Sequence, residues 1–334
     1  MKVMITGASG FVGRHVARLL VDRGDQVVAL VRSSSPVAHL VSMGCSITKG
    51  NLLDIESLNR AMDGCDQIYH IAADYRLWSR DTSELYRNNV DGTRNVMAAA
   101  QKVGAERVVY TSTVGTLGIP KGGAPGNERT PVTLDDMVGH YKRSKFMAEE
   151  AVRDFAAQGL PVVIVNPSTP VGEEDVKPTP TGKVIVDFLN GRIPAFLDTG
   201  LNLVDVHDAA NGHLLAAKKG AVGERYILGG RNMTLQDILT ALAEVSGRKP
   251  PHLRIPYGMA LGAAAVDHLL WSVLLKREPH ISLESVRMAA KKMYFDSERA
   301  MTELGYTISP IKPALQRAVE WYRQNGYEKI RSNG

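Results

Sequence analysis

Tyr141 and Lys145 form a Tyr-x-x-x-Lys pair at the start of a segment that predicts a helix, residues 140–158. Positions i and i+4 share one helical face, with Cβ atoms about 5–6 Å apart. A free tyrosine titrates near pH 10, too high for proton transfer at neutral pH, and a nearby ammonium favours the phenolate. The pair is a candidate acid/base, in which Tyr141 moves a proton and Lys145 tunes it. In isolation the same spacing also fits an ordinary surface pair.

Three consecutive hydroxyl side chains, Thr111, Ser112 and Thr113, end a predicted strand ahead of that helix. A hydroxyl at the carboxyl end of a strand can hydrogen-bond a substrate oxygen whose charge changes during the reaction. Alternation along a strand puts Thr111 and Thr113 on one face and Ser112 on the other. Spacing does not choose among the three.

A glycine-rich turn lies near the start of the chain, with Gly7, Gly10 and Gly13 spaced G-x-x-G-x-x-G. It follows a β-branched run, residues 2–6, and opens a segment with apolar residues at helical spacing, residues 11–23. Strand, turn and helix in this order predict a dinucleotide cradle. Gly7 permits the tight turn, Gly10 lets the backbone approach a pyrophosphate, and Gly13 lets the helix pack close to the strand. The N–H groups at the start of the helix then face the phosphates.

The residue types at the end of the second predicted strand, residues 26–32, indicate which cofactor the protein prefers. Proteins that use NAD usually place Asp or Glu here, to accept hydrogen bonds from the ribose 2′-OH. This chain has Arg32 followed by three serines. A guanidinium pairs well with a phosphate, so the sequence favours the 2′-phosphate of NADP over NAD. The alternative is that Arg32 is a solvated charge at a strand end.

Strands and helices alternate through the first half of the chain, which predicts an α/β fold with a doubly wound parallel sheet and ligands at the carboxyl ends of its strands. The predicted strands are residues 2–6, 26–32, 46–49, 67–71, 107–111 and 161–166. The predicted helices are residues 11–23, 36–43, 55–62, 83–103 and 140–158.

The second half has a less regular pattern, with short strands predicted at 204–208 and 225–228 and helices beginning near 235, 257, 283 and 313. We expect a dinucleotide-binding domain at residues 1–166. Residues 167–334 are expected to form mainly a smaller, interleaved substrate domain, with residues 203–229 returning to the first domain.

Bulk properties fit an ordinary globular enzyme of 334 residues, 44% hydrophobic and 22% charged. The net charge of +5 includes no long basic block, so nucleic acid is not an expected partner. Cys45 and Cys65 have no nearby histidine cluster, so we expect neither a disulfide nor a metal site. The N-terminal residues read as a strand and not as a signal peptide, which favours the cytoplasm.

The longest apolar stretch, residues 259–275, is interrupted by Asp267 and His268 and is too short to span a bilayer comfortably. Core packing is its expected role, and walling an apolar substrate is the alternative. Basic residues near the C-terminal end are compatible with contact to an anionic membrane surface, although a solvated helix face is the simpler interpretation. They are Arg287, Lys291, Lys292, Lys329 and Arg331.

With these motifs together, the chain resembles an extended short-chain dehydrogenase/reductase from end to end. The resemblance rests on residues 6–13, 50–54, 70–73, 89–96 and 166–168 and on the Tyr141/Lys145 pair. It implies a Rossmann-like fold and makes Thr113 the catalytic hydroxyl beside Tyr141 and Lys145. The expected cofactor-binding residues are Gly7, Ser9, Gly10, Phe11, Val12, Gly13, Arg32, Asn51, Leu52, Ala72, Tyr141, Lys145, Pro167 and Ser168. Asn51 stands where the family usually has Asp.

Within that superfamily, residues 166–172 resemble dihydroflavonol-reductase-like members, and residues 73–78, 140–146, 177–191 and 198–204 resemble the hopanoid-associated sugar epimerase group. The resemblance implies hydride transfer at a secondary alcohol or carbonyl of a sugar-like group in hopanoid lipid synthesis. It also implies a homodimer formed through residues 83–103 and 140–158. One alternative is a ketone or aldehyde reductase without epimerase activity, and another is a non-catalytic NADP-binding redox sensor.

The substrate is left open between two classes. A nucleotide sugar requires cations for its diphosphate, and the candidates are Lys177, Lys183, Arg192 and Arg231, each of which also fits a plain surface charge. Tyr75, Trp78 and residues 257–275 can instead wall a lipid-linked substrate.

Overall fold

The structure is a computed structural model that describes residues 1–76, 78–79, 81–274 and 283–329. Leu77, Leu275 and Arg331, which belong to sequence features singled out above, lie outside the described residues. The strands are β1 (Lys2–Thr6), β2 (Gln26–Val31), β3 (Ser46–Lys49), β4 (Gln67–His70), β5 (Arg107–Thr111), β6 (Val162–Pro167), β7 (Thr169–Val171), β8 (Ala195–Phe196), β9 (Gly200–Asp205), β10 (Arg225–Leu228), β11 (Arg231–Thr234) and β12 (Leu253–Arg254).

The α-helices are α1 (Phe11–Asp22), α2 (Ala38–Met43), α3 (Ile55–Met62), α4 (Thr82–Tyr86), α5 (Gly92–Lys102), α6 (Gly139–Ala157), α7 (Pro180–Leu189), α8 (Val206–Lys219), α9 (Leu235–Ser246), α10 (Tyr257–Asp267), α11 (Leu283–Met288) and α12 (Ile311–Gln324). Short π-helical turns lie at Arg87–Asp91, His268–Leu274 and Ala300–Leu304, and 3₁₀ turns at Val114–Thr116 and Leu134–Asp136. Among the described residues, no helix is both long and apolar enough to cross a membrane.

Seven strands form one parallel sheet in the order β10-β6-β5-β4-β1-β2-β3. The chain runs outward from β1 to β3 and then returns to β4 on the other side of β1, so Ile5 pairs with Ala29 on one side and Tyr69 on the other. A reversal of this kind opens a crevice at the carboxyl ends of the strands, where nucleotides bind in such sheets. The expectation of a Rossmann-like α/β fold is confirmed.

Both faces of the sheet are buried, because its strands send alternate side chains into two separate cores. Val3 and Ile5 of β1 enter the core shared with α1 and α8, and Met4 enters the core shared with α3, α5 and α6. Beside the main sheet lie a three-stranded sheet, β11-β9-β7, and the pair β12-β8. A third core joins α7, α9 and α12 to β9.

Helix starts follow the local sequence closely. Asp54 accepts hydrogen bonds from the backbone of Glu56 and Ser57 at the start of α3, and Thr234 forms a capping box with Asp237 at the start of α9. These caps satisfy backbone N–H groups that the helix itself leaves free.

Two predicted elements were wrong in their boundaries. Residues 83–103 do not form one helix, because a π-helical turn at Arg87–Asp91 separates α4 from α5. The strand predicted at residues 204–208 lies instead at Gly200–Asp205 as β9, because the side chain of Asp205 accepts from the backbone N–H of His207 and starts α8. Asp at a helix start is a signal that the sequence already carried.

Candidate active site

The glycine turn lies against the end of β4. Gly7 has a φ of +77°, and a Cβ there would lie 2.6 Å from the backbone nitrogen of Ala72. A Cβ on Gly13 would lie 2.1 Å from the carbonyl oxygen of Gly7, so α1 packs on the turn without room for a side chain. Gly10 donates its N–H to Gly7 O at 2.9 Å. Glycine is thus required at Gly7 and Gly13 by direct backbone approach.

The start of α1 fits a bound dinucleotide phosphate. Gly10 offers no side-chain cap, and the first turn holds no acidic residue, so its N–H groups and the positive end of the helix dipole are left for an anion. The neighbouring expected residues, Ser9, Phe11 and Val12, are all partly exposed along this turn.

Arg32 is exposed just beyond the end of β2, and it forms no ion pair with any other described residue. Its guanidinium is therefore free for an anionic ligand. Asn51 is also exposed, and its Oδ1 accepts from the N–H of Leu53 at 3.1 Å. Leu52 is half-buried, and its carbonyl oxygen accepts from Asn95 Nδ2 at 2.9 Å.

At the carboxyl end of β6, Pro167 is buried and Ser168 is half-buried. The Ser168 hydroxyl has no hydrogen-bond partner within the described part of the chain, although the atom is buried. Buried polar atoms are nearly always paired in native proteins, so an unpaired hydroxyl beside a nucleotide crevice fits a ligand partner.

The hydroxyls of Thr111, Ser112 and Thr113, which sequence spacing could not distinguish, have different partners in the structure. Thr111 bonds to the buried ring of His213 at 3.0 Å, and Ser112 donates to Glu149. Thr113 accepts from the N–H of Gly115 at 3.1 Å, and its hydroxyl lies close enough to Tyr141 to lower the pKa of that phenol. Only Thr113 of the three therefore contacts the candidate acid/base.

The pKa of Tyr141 shifts opposite to the expected direction. Desolvation raises the pKa to about 12, and the nearby hydroxyl of Thr113 lowers it by less. The ammonium of Lys145 donates to Tyr110 Oη at 2.9 Å and to Thr111 O at 2.8 Å, not to Tyr141. Tyr141 is therefore held as a neutral phenol, the form that donates a proton.

Lys145 is fully enclosed, and burial lowers its pKa to about 7 while the carboxylate of Glu149 raises it. Its Tyr110 partner is also buried, and burial raises the pKa of that phenol. Tyr141, Lys145 and Glu149 recur at four-residue spacing along α6, so they follow one face of the helix. Burial and one nearby carboxylate thus set the charge of Lys145.

Glu149 is a residue that the sequence reasoning missed. Its Oε2 accepts from Ser112, Thr116 and Asn166, and its Oε1 pairs with Arg225 at 3.2 Å. The carboxylate joins α6 to β5, β6 and β10 beneath the candidate site. The signal available in the sequence was the third member of the Tyr141/Lys145 spacing.

The candidate substrate residues are dispersed. Arg192 pairs with Asp187 at 3.4 Å, whereas Lys177, Lys183 and Arg231 are exposed. Tyr75 donates to the carbonyl oxygen of Lys177 at 3.4 Å. The expectation of core packing for residues 257–275 was wrong over α10, where only Ala260 and Ala264 are buried.

Three side chains lie close enough together to bind a metal ion, although no metal site was expected from the sequence. Ligand atoms of His15, Glu173 and His207 all lie within 4.8 Å of one another. Both carboxylate oxygens are already engaged, one with His207 at 2.8 Å and the other with Arg317 at 2.9 Å. The carboxylate of Glu173 is thus already held by the imidazole of His207 and the guanidinium of Arg317.

The NAD dependent epimerase/dehydratase family matches this chain over residues 3–229, which is more than half of its length. The chain therefore belongs to that family. The match covers the glycine turn, the three hydroxyls and all of α6.

Other members of the epimerase/dehydratase family align with nearly the whole chain. A Synechocystis sp. protein named "Putative dihydroflavonol 4-reductase" is 44% identical over 97% of this chain and 95% of its own. "Sterol demethylase protein B" of Methylococcus capsulatus is 36% identical over 98% of this chain and 99% of its own. Reductases and sterol-related enzymes are thus among the similar family members, and the chain is an NAD(P)-dependent oxidoreductase or epimerase of the extended short-chain dehydrogenase/reductase type.

Two solved structures extend this likeness to the fold. The crystal structure of gox2253 superposes with a TM-score of 0.88 at 41% identity, covering 98% of this chain and 99% of that one. The Pseudomonas aeruginosa protein PA4631, described as a nucleoside-diphosphate-sugar epimerase, superposes with a TM-score of 0.83 at 28% identity. The superposition covers 98% of this chain and 99% of that one.

Proposed function

We propose that this protein transfers a hydride between NADP and a secondary alcohol, ketone or aldehyde carbon of a sugar-like or lipid-linked substrate. The observation that carries the proposal is the position of the Thr113 hydroxyl beside the Tyr141 phenol, whose pKa it lowers. It lies at the edge of the sheet where the glycine turn follows β1, because parallel strands end on one side.

The proton chemistry follows from the chain's own groups. When bound, NADP supplies the hydride donor or acceptor. In reduction, Tyr141 donates its phenolic proton to the substrate oxygen, and in oxidation the phenolate takes that proton back. Thr113 donates a hydrogen bond to the same oxygen as charge develops on it. Lys145, when protonated, lowers the cost of forming the phenolate.

The preference for NADP over NAD rests on the free guanidinium of Arg32 and on the absence of Asp or Glu at the end of β2. The expected holders of the pyrophosphate are the turn and first helical residues, from Gly7 to Gly13. Ala72 flanks the cofactor in this proposal, Asn51 and Leu52 flank its adenine, and Pro167 and Ser168 meet its nicotinamide end.

A role in hopanoid lipid synthesis is part of the proposal and is supported by the resemblance of residues 73–78 and 177–191 to that group. Net reduction without epimerisation is the second candidate, favoured by the dihydroflavonol-reductase-like residues 166–172 and by the name of the Synechocystis relative. A non-catalytic NADP sensor is disfavoured by the Tyr141/Lys145 pair.

We further propose a dinucleotide-binding domain of residues 1–166 together with 203–229, and a substrate domain from the rest of residues 167–334. The position of β10 at the sheet edge and the packing of α8 on α1 support this division. A cytoplasmic homodimer formed through residues 83–103 and α6 completes the proposal.

Two measurements test the function. Titration calorimetry with NADPH and NADH decides the cofactor, and tighter binding of NADH would remove the NADP assignment. NADPH consumption and product configuration are then followed with a dihydroflavonol and with a nucleoside-diphosphate sugar. Consumption excludes pure epimerisation, and inversion without consumption excludes a simple reductase. Tight NADP binding without either reaction across a wide carbonyl and sugar panel would favour the sensor.

A further inference from the structure

An unusually apolar part of the surface lies between residues 253 and 273. Six large apolar side chains there are about half exposed or more, from 47% for Leu270 to 66% for Met259. We call this set the apolar surface, and its members are Leu253, Met259, Val266, Leu269, Leu270 and Val273. All six belong to one short stretch of the chain, and a contiguous exposed apolar patch marks an interaction site.

Helix α10 shows why this surface needs a cover. Its only described charge is Asp267 at its end, and it buries a single stripe, Ala260 and Ala264, against Val286 of α11. A Cβ added at Gly258 or Gly262 would meet nothing within 4 Å. A helix that is apolar on all sides normally lies inside a protein or in contact with lipid.

The charged residues around the apolar surface indicate what kind of partner covers it. Residues 248–292 hold eight Lys and Arg against three Asp and Glu, which equals the whole net charge of +5. Part of this is offset by residues outside the range, because Asp198 pairs with Arg254 and Lys292, and Glu328 pairs with Arg248. Lys249, Arg287 and Lys291 are exposed and form no ion pair with another described residue. A second copy of this chain would bring like charges together, whereas anionic lipid headgroups complement them.

The apolar surface is connected to the candidate active site through α11. A Cβ on Gly139, the first residue of α6, would lie 2.5 Å from Glu284 Oε2 on α11. Gly139 is two residues before Tyr141. The layer formed by α10 and α11 therefore covers the start of the helix that carries the proposed acid/base.

We propose that the apolar surface docks on a bilayer containing anionic lipid, with α10 lying in the interface and its apolar side chains among the acyl chains. Docking places the start of α6 close to the membrane, so a lipid-like substrate reaches Tyr141 without crossing water. That delivery rests on the function proposed above, whereas the docking itself does not.

Vesicle flotation tests the docking with no cofactor or substrate present. The probes are phosphatidylcholine vesicles with and without about 30 mol% phosphatidylglycerol. We expect the protein to float with the anionic vesicles, and the triple variant Met259→Glu, Val266→Glu, Val273→Glu to bind at least about tenfold less. The matched control is Val41→Glu, Val222→Glu, Met301→Glu, which adds the same charge at similarly exposed positions elsewhere.

The proposal is overturned if the unmodified protein does not bind the anionic vesicles, or if both triple variants lose vesicle binding equally. It is also overturned if the first variant changes its oligomeric state in the absence of lipid. The last would identify a protein–protein interface. If the unmodified protein floats but turns over no substrate, the proposed function fails and the docking stands.

Discussion

Tyr110 Oη accepts a hydrogen bond from Lys145 Nζ at 2.9 Å, deep beneath the glycine turn and the candidate acid/base. The second acceptor is the carbonyl oxygen of Thr111, so the ammonium is held by two neutral groups and influenced by the carboxylate of Glu149. The charge state of Lys145 at neutral pH therefore depends on few contacts, and those of Tyr110 and Glu149 can each be removed by substitution.

Replacing Tyr110 with phenylalanine removes one of those acceptors. The pKa of Lys145 then falls below its value of about 7, so the ammonium is lost at lower pH. Because the protonated form assists Tyr141, kcat/KM at pH 7.5 should fall by about tenfold and recover on acidification. A pH profile of kcat/KM measures this. Tyr69→Phe, at another buried tyrosine whose hydroxyl contacts Gln67, should leave the profile unchanged. An identical profile in both variants would contradict the proposed influence of Tyr110 on Lys145.

Tyr141→Phe should lower kcat by about 10²–10⁴-fold, because the phenol that moves the proton is gone. The dissociation constant for NADPH should stay within about twofold, since the phenol is used mainly in the chemical step. In the unmodified protein a pKa of about 12 keeps the phenol of Tyr141 protonated. Titration of this phenol should therefore change the rate of reduction little between pH 6 and 9, whereas the rate of oxidation should rise with pH. Tyr327→Phe, far along the chain, is the control. Retained turnover in Tyr141→Phe would refute the acid/base role.

Arg32→Ala should weaken NADPH binding by about 10–100-fold while leaving NADH binding nearly unchanged, because the lost charged hydrogen bonds contribute about 1.5–3 kcal/mol. Calorimetric titration of both cofactors measures the ratio. Arg60→Ala removes an equally exposed arginine from the end of α3 and should change neither constant. Equal weakening of NADPH and NADH by Arg32→Ala would mean that the side chain does not recognise the 2′-phosphate.

Two buried histidines should make the fold sensitive to acid. Burial lowers the pKa of His70 to about 3 and that of His213 to about 4, from 6.5. Below pH 6.5 the unfolded chain binds more protons than the folded one, so stability falls as pH falls. Between pH 7.5 and 5 each histidine accounts for a loss of about 2 kcal/mol.

Urea unfolding at the two pH values measures this loss, and His213→Gln should reduce it by about 2 kcal/mol. His252→Gln, at an exposed position, should not change it. If the His213 and His252 variants lose the same stability on acidification, burial of His213 is not the cause.

The alternating strands and helices of the first half of the chain could be predicted well because local sequence patterns determine them. The predicted bounds of β1, β3, β5 and α3 agree with those in the structure. The glycine turn was also predictable, since its requirement is a backbone one. Whether Arg32 selects NADP and whether Tyr141 catalyses stay predictions.

Long-range contacts explain what the sequence did not reveal. The π-helical turn at Arg87–Asp91 contains Asn89, whose amide bonds Asp74 and Ser144 on separate segments. Thr113 could not be distinguished from Thr111 by alternation, because what separates them is a histidine about a hundred residues away. The exposure of α10 is likewise invisible in a pattern that is apolar throughout.

The edge strand β10 has a consequence for synthesis on the ribosome. A nascent chain that has reached residue 166 lacks both the last strand of the sheet and the helix that covers Val16, Ala17 and Leu20. Those side chains stay uncovered until residues 206–228 have emerged and docked. A fragment cut at residue 166 should consequently aggregate, and chaperones should bind the growing chain longest over this interval.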